Sequence, residues 1–212
     1  ARFANEFGIG TPTMIDLPNE LQGLMPNAEW KRKNKNDSWH LGETYNAVIG
    51  QGFTLSTPLQ IAVMTARIAS GKKVFPKIQY NNELYREEFQ DLNVNLESLD
   101  FIRKSMFNVV NQYKGTAFSS KLKSKNYKMA GKTGTSQVRR ISLSERESGV
   151  LENKELPYQR RDHSIFTGFA PFDNPRLAIC VVMEQEGSGS KVAYSISRDV
   201  LDFSLNFLYE NE

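Results

Sequence analysis

With one cysteine and two histidines among its 212 residues, the chain lacks the material for several kinds of chemistry. The lone Cys180 forms no internal disulfide, and within the apolar run Leu177-Ala-Ile-Cys-Val-Val182 it reads as a small buried hydrophobe. His40 and His163 stand far from each other and from Cys180, a spacing that gives no zinc site and no Ser-His-Asp arrangement. No metal and no cofactor is therefore expected. Long apolar runs are missing as well. No stretch approaches the roughly 20 residues that cross a bilayer, and the first residues lack the basic and apolar regions of a signal peptide. Charge of one sign is also scarce: 27 Lys and Arg against 24 Asp and Glu leave a net +3. The basic clusters Lys31-Arg32-Lys33, Arg139-Arg140 and Arg160-Arg161 lie apart, without interleaved aromatics. They read as solvated faces rather than a nucleic-acid patch. Internal repeats and low-complexity segments are absent.

What the chain does contain is Lys132-Thr133-Gly134-Thr135, inside Met129-Ala-Gly-Lys-Thr-Gly-Thr-Ser-Gln-Val138. An ammonium and a hydroxyl side by side can hold a carboxylate, and a residue without Cβ lets a ligand lie against the backbone. The overlapping Gly131-Lys132-Thr133 raises a phosphate-binding loop as an alternative. That motif needs glycine at position 126, which is Asn126, and a helix after the lysine. Residues 133–138 read instead as strand or turn. A surface loop with incidental Lys and Thr is the bland third reading of four residues.

The surroundings are more specific. Lys-Thr-Gly joins Ser-x-x-Lys and Ser-x-Asn in the signature of penicillin-binding proteins and serine β-lactamases. Five blocks resemble the C-terminal half of a class B penicillin-binding protein transpeptidase domain, in that family's order. They are Phe7-Gly-Ile-Gly10 through Ile15-Asp-Leu-Pro-Asn-Glu20, Ala47-Val-Ile-Gly-Gln-Gly52 with Thr57-Pro-Leu-Gln-Ile-Ala62, and Val109-Val-Asn-Gln-Tyr-Lys-Gly-Thr-Ala117. Gly131 to Val138 and His163-Ser-Ile-Phe-Thr-Gly-Phe-Ala-Pro171 complete the set. Gly23-Leu-Met-Pro26, Glu29-Trp-Lys-Arg32 and Trp39-His-Leu-Gly-Glu-Thr44 are similar to the elongation-type penicillin-binding protein 2.

The resemblance implies an α/β (α+β) fold, an antiparallel sheet flanked by helices of the penicillin-binding protein/serine β-lactamase type. Residues 1–212 would form the C-terminal portion of the domain, its N-terminal part missing. It implies a serine-type D,D-transpeptidase in the intact protein, with peptidoglycan stem peptides and β-lactams as ligands. Elongation-complex membrane proteins (a glycan polymerase and a scaffold) would be its partners, at the periplasmic face of the bacterial inner membrane. Lys132 would bias the pocket positive and touch the Ser-x-Asn hydroxyl. Thr133 and Thr135 hydroxyls would bind the substrate carboxylate, Gly134 would keep the strand approachable, and the Thr135 N–H would be an oxyanion donor.

The family's nucleophile and Ser-x-Asn loop lie upstream of everything matched here. Ser-x-x-Lys strings do occur at Ser70, Ser120 and Ser188, and Ser-x-Asn strings at Ser124 and Ser204. The catalytic serine opens a buried helix, so its lysine lies one turn away on the same face. Ser70 instead follows a helix stopped by Gly71, Ser120 sits in a lysine-rich connection, and Ser188 lies in Gly187-Ser-Gly-Ser190. The expectation is an oxyanion and substrate-binding half without its nucleophile, inactive alone. A non-enzymatic truncated scaffold module is the alternative.

Periodicity sets the remaining elements. Residues 1–45 read as a short helix followed by loop, broken by Pro12, Pro18 and Pro26. Thr57-Pro58 starts a helix through Ser70 with Leu59, Val63, Ala66 and Ala69 inward. Lys73 to Tyr80 reads as an edge strand, and residues 98–112 as a helix with a Leu99, Ile102, Met106, Val109, Val110 stripe. Strands 163–170 and 177–184 form a hairpin across Pro171-Phe-Asp-Asn-Pro175. A last helix buries Val192, Ile196, Val200, Phe203 and Phe207. The 177–184 strand would be an unpaired edge, an association hazard.

Overall fold

A computed structural model describes residues 1–78, 88–139, 141–187 and 191–210. They form two compact units, residues 1–95 and 96–212.

The first unit is helical. Helices α1 (Arg2–Glu6), α2 (Ala28–Lys35), α3 (Leu41–Val48) and α4 (Pro58–Ser70) are joined by long loops. The sequence dictates α4 at both ends: the Thr57 hydroxyl accepts from the Gln60 N–H, Pro58 sits in the first turn, and Gly71 closes the helix at φ 72°. Val63 and Ala69 are buried as expected, but Leu59 and Ala66 are only half-buried. The decisive residue is polar. Fully buried Gln60 donates from Nε2 to the carbonyls of Thr11 and Gln22, each at 2.7 Å, and its Oε1 accepts from the Thr57 N–H at 3.0 Å. One amide thus satisfies three loop groups that burial would otherwise leave unpaired.

Residues 1–45 hold more helix than expected. Asn27 caps α2, its side chain accepting from the Trp30 N–H, and Asn36 ends it in the left-handed region at φ 51°. At the start of α3, Glu43 accepts from the His40 N–H at 2.7 Å. Lys31 is not part of a solvated face. It is buried, donating to the Ser38 carbonyl at 2.6 Å and pairing with Asp37 and Glu43 at 2.7 and 2.8 Å. Nor does the expected strand from Lys73 form over 73–78. After a single bridge between Lys72 and Asp91, Pro76 has no N–H to offer and the Ile78 N–H turns to the Asp16 carboxylate. Residues 79 and 80 lie outside the described residues.

The second unit carries a three-stranded antiparallel sheet in the order β1 (Ala130–Ser136), β2 (His163–Ala170), β3 (Leu177–Met183). Helix α5 (Leu96–Asn111) precedes it, α6 (Leu143–Ser148) lies in the β1–β2 connection, and α7 (Lys191–Glu210) follows. The 171–176 linker makes the expected hairpin, closed by the Arg176 N–H on the Ala170 carbonyl at 3.1 Å. Alternation along each strand divides the sheet into two faces. Phe166 heads one face and joins Val110 and Ala117, from α5 and the turn after it, with Tyr194, Leu201 and Leu205 of α7 in one cluster, while fully buried Phe169 and Ala130 stand on the other. The Phe166 ring lies where Gly131 and Gly168 have no side chains. A Cβ on Gly131 would collide with the ring, and one on Gly168 would come within 2.9 Å of it.

Two expectations are corrected here. Cys180 points to the opposite face and is half-buried, its thiol pushed up to about 11 by burial. In α7 the buried stripe is Ala193, Tyr194, Ser197, Leu201 and Leu205, whereas Val200, Phe203 and Phe207 are exposed. The helix has two apolar stripes. The one with Ala193, Tyr194, Leu201 and Leu205 packs with Phe166 of the sheet.

Lys31 holds the Asp37 carboxylate below its ordinary range, and the His40 N–H with Lys31 does so for Glu43. Their stabilising effect is present above the unfolded carboxylate values of about 4 and is lost as pH falls through the lower folded ones. Lys31→Met should therefore flatten the acid limb of a melting-temperature profile; an unchanged profile would contradict the assignment. The outer edge of β3 has no partner strand among the described residues, and Phe203 and Phe207 lie exposed. Produced alone, the 212-residue chain should elute as oligomers in gel filtration. A monomer with one sharp melt is the contrary result.

Candidate functional site

Lys132, Thr133, Gly134 and Thr135 all lie on β1, a sheet edge among the described residues, opposite Thr167, Phe166, Ile165 and Ser164 respectively. The phosphate-loop alternative is gone: the segment is a strand, and the next helix, α6, starts only at Leu143. The two-residue period places Thr133 and Thr135 on the face of Phe166, and Lys132 and Gly134 on the other. Burial falls off along the strand. Ala130 and Gly131 are buried, Thr133 and Gly134 are half-buried, and Lys132 and Thr135 are exposed. The strand is rooted in the core at its first residues and offers its polar ones to solvent.

The two glycines of the motif differ in what they answer to. Gly131 is required by the packing of Phe166. At Gly134 a Cβ would make only ordinary contact, its nearest neighbour Ile165 Cβ at 3.4 Å. The fold itself does not demand a bare backbone at 134. Lys132 Nζ folds back to donate to the Thr133 carbonyl at 2.7 Å. The Thr133 hydroxyl lies 3.1 Å from that of Thr116, in the turn after α5. Sequence reasoning quoted the Gly115-Thr116-Ala117 block yet gave Thr116 no role. Its contact joins residues 17 positions apart, which no local period reveals.

Beyond β1 the chain enters a groove of about 600 Å³, lined by Gln137, Arg139, Leu151, Lys154, Asp162 and Glu186 among others. Its walls are pinned by Asp162, which accepts from the Val138 N–H at 3.3 Å and from Asn153 Nδ2 at 3.2 Å. Arg139 is engaged by Glu145 in two hydrogen bonds of 2.6 Å, which hold the carboxyl low and the guanidinium high. Arg140 lies outside the described residues.

Two of the Ser-x-x-Lys serines, Ser70 and Ser120, do not open helices. Ser70 is the last residue of α4 and donates to the Ala66 carbonyl at 2.8 Å. Ser120 ends a single 3₁₀ turn, buried, and donates to the Ala117 carbonyl at 2.7 Å. Ser188 lies outside the described residues. Of the Ser-x-Asn serines, Ser124 accepts from the Asn126 N–H at 3.2 Å, and Ser204 lies within α7. Among the described residues, none of these four hydrogen-bonds to the Lys132–Thr135 strand. Among the described residues no group of His, Cys, Asp and Glu could hold a metal ion.

The family model of the penicillin-binding protein transpeptidase domain matches residues 1–202. The peptidoglycan D,D-transpeptidase MrdA of Haemophilus influenzae is 34% identical over 218 residues, covering 97% of this chain and 32% of that protein. In the complex of penicillin-binding protein PBP2 with MreC from Helicobacter pylori, a chain 34% identical superposes with a TM-score of 0.77, covering 97% of this chain and 34% of that one. The Pseudomonas aeruginosa PBP2 structure, in complex with WCK 5153, gives 0.76 at 32% identity, covering 96% and 43%. The chain thus spans about a third of the length of MrdA and of the Helicobacter protein. With the family model matching residues 1–202 and these relatives aligned over nearly the whole chain, this chain belongs to the penicillin-binding protein transpeptidase domain family.

Proposed function

We propose that the intact protein is a serine-type peptidoglycan D,D-transpeptidase of the elongation type, and that Lys132–Thr135 forms the substrate-carboxylate and oxyanion side of its groove. The observation that carries this reading is the edge strand itself. It presents an ammonium, two hydroxyls and a glycine at 134 whose missing side chain no packing contact explains.

In the proposed reaction a serine hydroxyl adds to the penultimate D-Ala carbonyl of a donor stem peptide. The C–N bond then breaks, the last D-Ala leaves with the serine proton, and an ester remains. An amine of a neighbouring stem attacks that ester, forms the cross-linking amide and returns the serine. Each addition produces a tetrahedral oxyanion, stabilised by preorganised N–H donors. The Thr135 N–H and the N–H of the serine are assigned that role. Thr133 and Thr135 hydroxyls take the carboxylate, and the Lys132 ammonium leaves the Thr133 carbonyl for the Ser-x-Asn hydroxyl. The nucleophile is assigned outside these 212 residues, supported by the positions of Ser70 and Ser120 at helix ends. β-Lactams would acylate the same serine.

By the same reasoning the partners are membrane proteins of the elongation machinery, a scaffold and a glycan polymerase. The Helicobacter relative is in complex with MreC. The site of action would be the periplasmic face of the inner membrane; among the described residues, no helix is long and apolar enough to cross a membrane.

Two measurements on the full-length protein test this. Fluorescent penicillin should label it covalently, on a serine outside these 212 residues. Losing an oxyanion donor costs roughly 100- to 1,000-fold, so Thr135→Pro should nearly abolish labelling while Thr133→Ser keeps most of it. A label within this chain, or equal rates for Thr135→Pro and wild type, would overturn the assignment. The glycines give a second contrast. Gly131→Ala should lower the melting temperature, whereas Gly134→Ala should leave it near wild type and slow acylation. The reverse pattern would remove Gly134 from the groove.

A further inference from the structure

The turn after α5 is built more rigidly than a connection needs to be. Three backbone hydrogen bonds fold it back on the helix end: Gly115 N–H to Gln112 O at 2.9 Å, Ala117 N–H to Val109 O at 3.1 Å, and Phe118 N–H to Gly115 O at 3.1 Å. Gly115 is obligatory, since a Cβ there would collide with the carbonyls of Val109 and Asn108. Ala117 is fully buried. Asn111 Nδ2 donates to the carbonyls of Phe107 and Met129, at 2.8 and 2.9 Å, and so fastens the helix end to the residue before β1. Between the constrained Gly115 and Ala117 stands exposed Thr116, its hydroxyl 3.1 Å from that of Thr133.

A hydroxyl has a single proton to give. If Thr133 donates it to a carboxylate, its oxygen is free to accept from a neighbour, and Thr116 is placed to supply that bond. The chain Thr116 O–H to Thr133 O–H to carboxylate then runs in one direction, each bond polarising the next. A hydrogen bond between two solvent-facing hydroxyls adds little to folding, so stability gives no reason for a hydroxyl at 116.

We propose that Thr116 is a positioning residue for the carboxylate subsite: it orients and polarises the Thr133 hydroxyl toward the carboxylate of a D-alanyl peptide or β-lactam. This rests on the transpeptidase reading of the Lys132–Thr135 groove. The Gly115-Thr116-Ala117 turn is thereby a second wall of that subsite, delivered by α5.

The test compares acylation of the full-length protein by a labelled penicillin and by its carboxyl methyl ester. Thr116→Val should lose roughly three- to tenfold in second-order rate with the free carboxylate, the scale of one modest hydrogen bond. Thr116→Ser should match wild type. The ester, which presents no anion, should show no difference among the three, and their melting temperatures should agree. Thr116→Ala, which adds no bulk, should give the same split if the valine variant folds poorly. Equal loss on acid and ester would mark a structural effect and overturn the proposal. So would wild-type rates for Thr116→Val alongside a slow Thr133→Val, though that result leaves the groove's function standing. A wild-type protein that penicillin does not acylate would overturn both.

Discussion

The packing of one aromatic ring over two residues without side chains governs the second unit. Phe166 is fully buried, and its ring occupies the space where Gly131 and Gly168 would carry a Cβ. Sliding β2 by one residue along β1 would bring the ring to the opposite face and the smaller Ile165 or the polar Thr167 into the cluster with Val110, Tyr194 and Leu201. The register is therefore fixed by sterics as well as by ladder hydrogen bonds. That register sets Thr133 opposite Phe166, so the face of Phe166 continues into the polar part of the strand. The Lys132–Thr135 segment gains rigidity from a core it does not itself join.

Much of the fold was legible in the sequence because local rules and tertiary packing agreed. The Thr57-Pro58 start and Gly71 stop of α4, the hairpin at 171–176 and the burial of Leu99, Met106 and Val110 in α5 follow short-range signals, although Ile102 of that expected stripe is exposed and Val109 half-buried. The failures have a common origin. In α7 two apolar stripes compete, and the one that buries is Ala193, Tyr194, Ser197, Leu201 and Leu205 rather than the one with Val200, Phe203 and Phe207. Within residues 1–45 the prolines suggest loop after a first short helix, although Asn27 and Glu43 cap two helices of eight residues each. Lys31 looked like part of a basic face because its partners, Asp37 and Glu43, lie six and twelve positions away. A period counts apolar residues. It does not see where a carboxylate returns.

The site shows the same division. Its strand is named by its own residues, and the family resemblance supplies their expected roles. Gly134 reads alike to Gly131 in the sequence, yet only the structure separates a glycine required by Phe166 from one that packing leaves unexplained. Thr116 depends on a contact across two elements, since α5 must end where it does before the hydroxyl reaches β1. Gln60 plays a comparable part in the first unit, where one side chain draws Thr11, Gln22 and Thr57 together. In both units a polar residue inside a family block makes contacts across elements, and neither set follows from hydrophobic pattern.

The most direct measurement is a crystal structure of the full-length protein acylated by a penicillin. The ligand carboxylate should lie about 3 Å from the Thr133 and Thr135 hydroxyls, within ordinary hydrogen-bond reach, and its carbonyl oxygen should face the Thr135 N–H. An acyl group held elsewhere, with residues 132–135 open to solvent, would contradict the account.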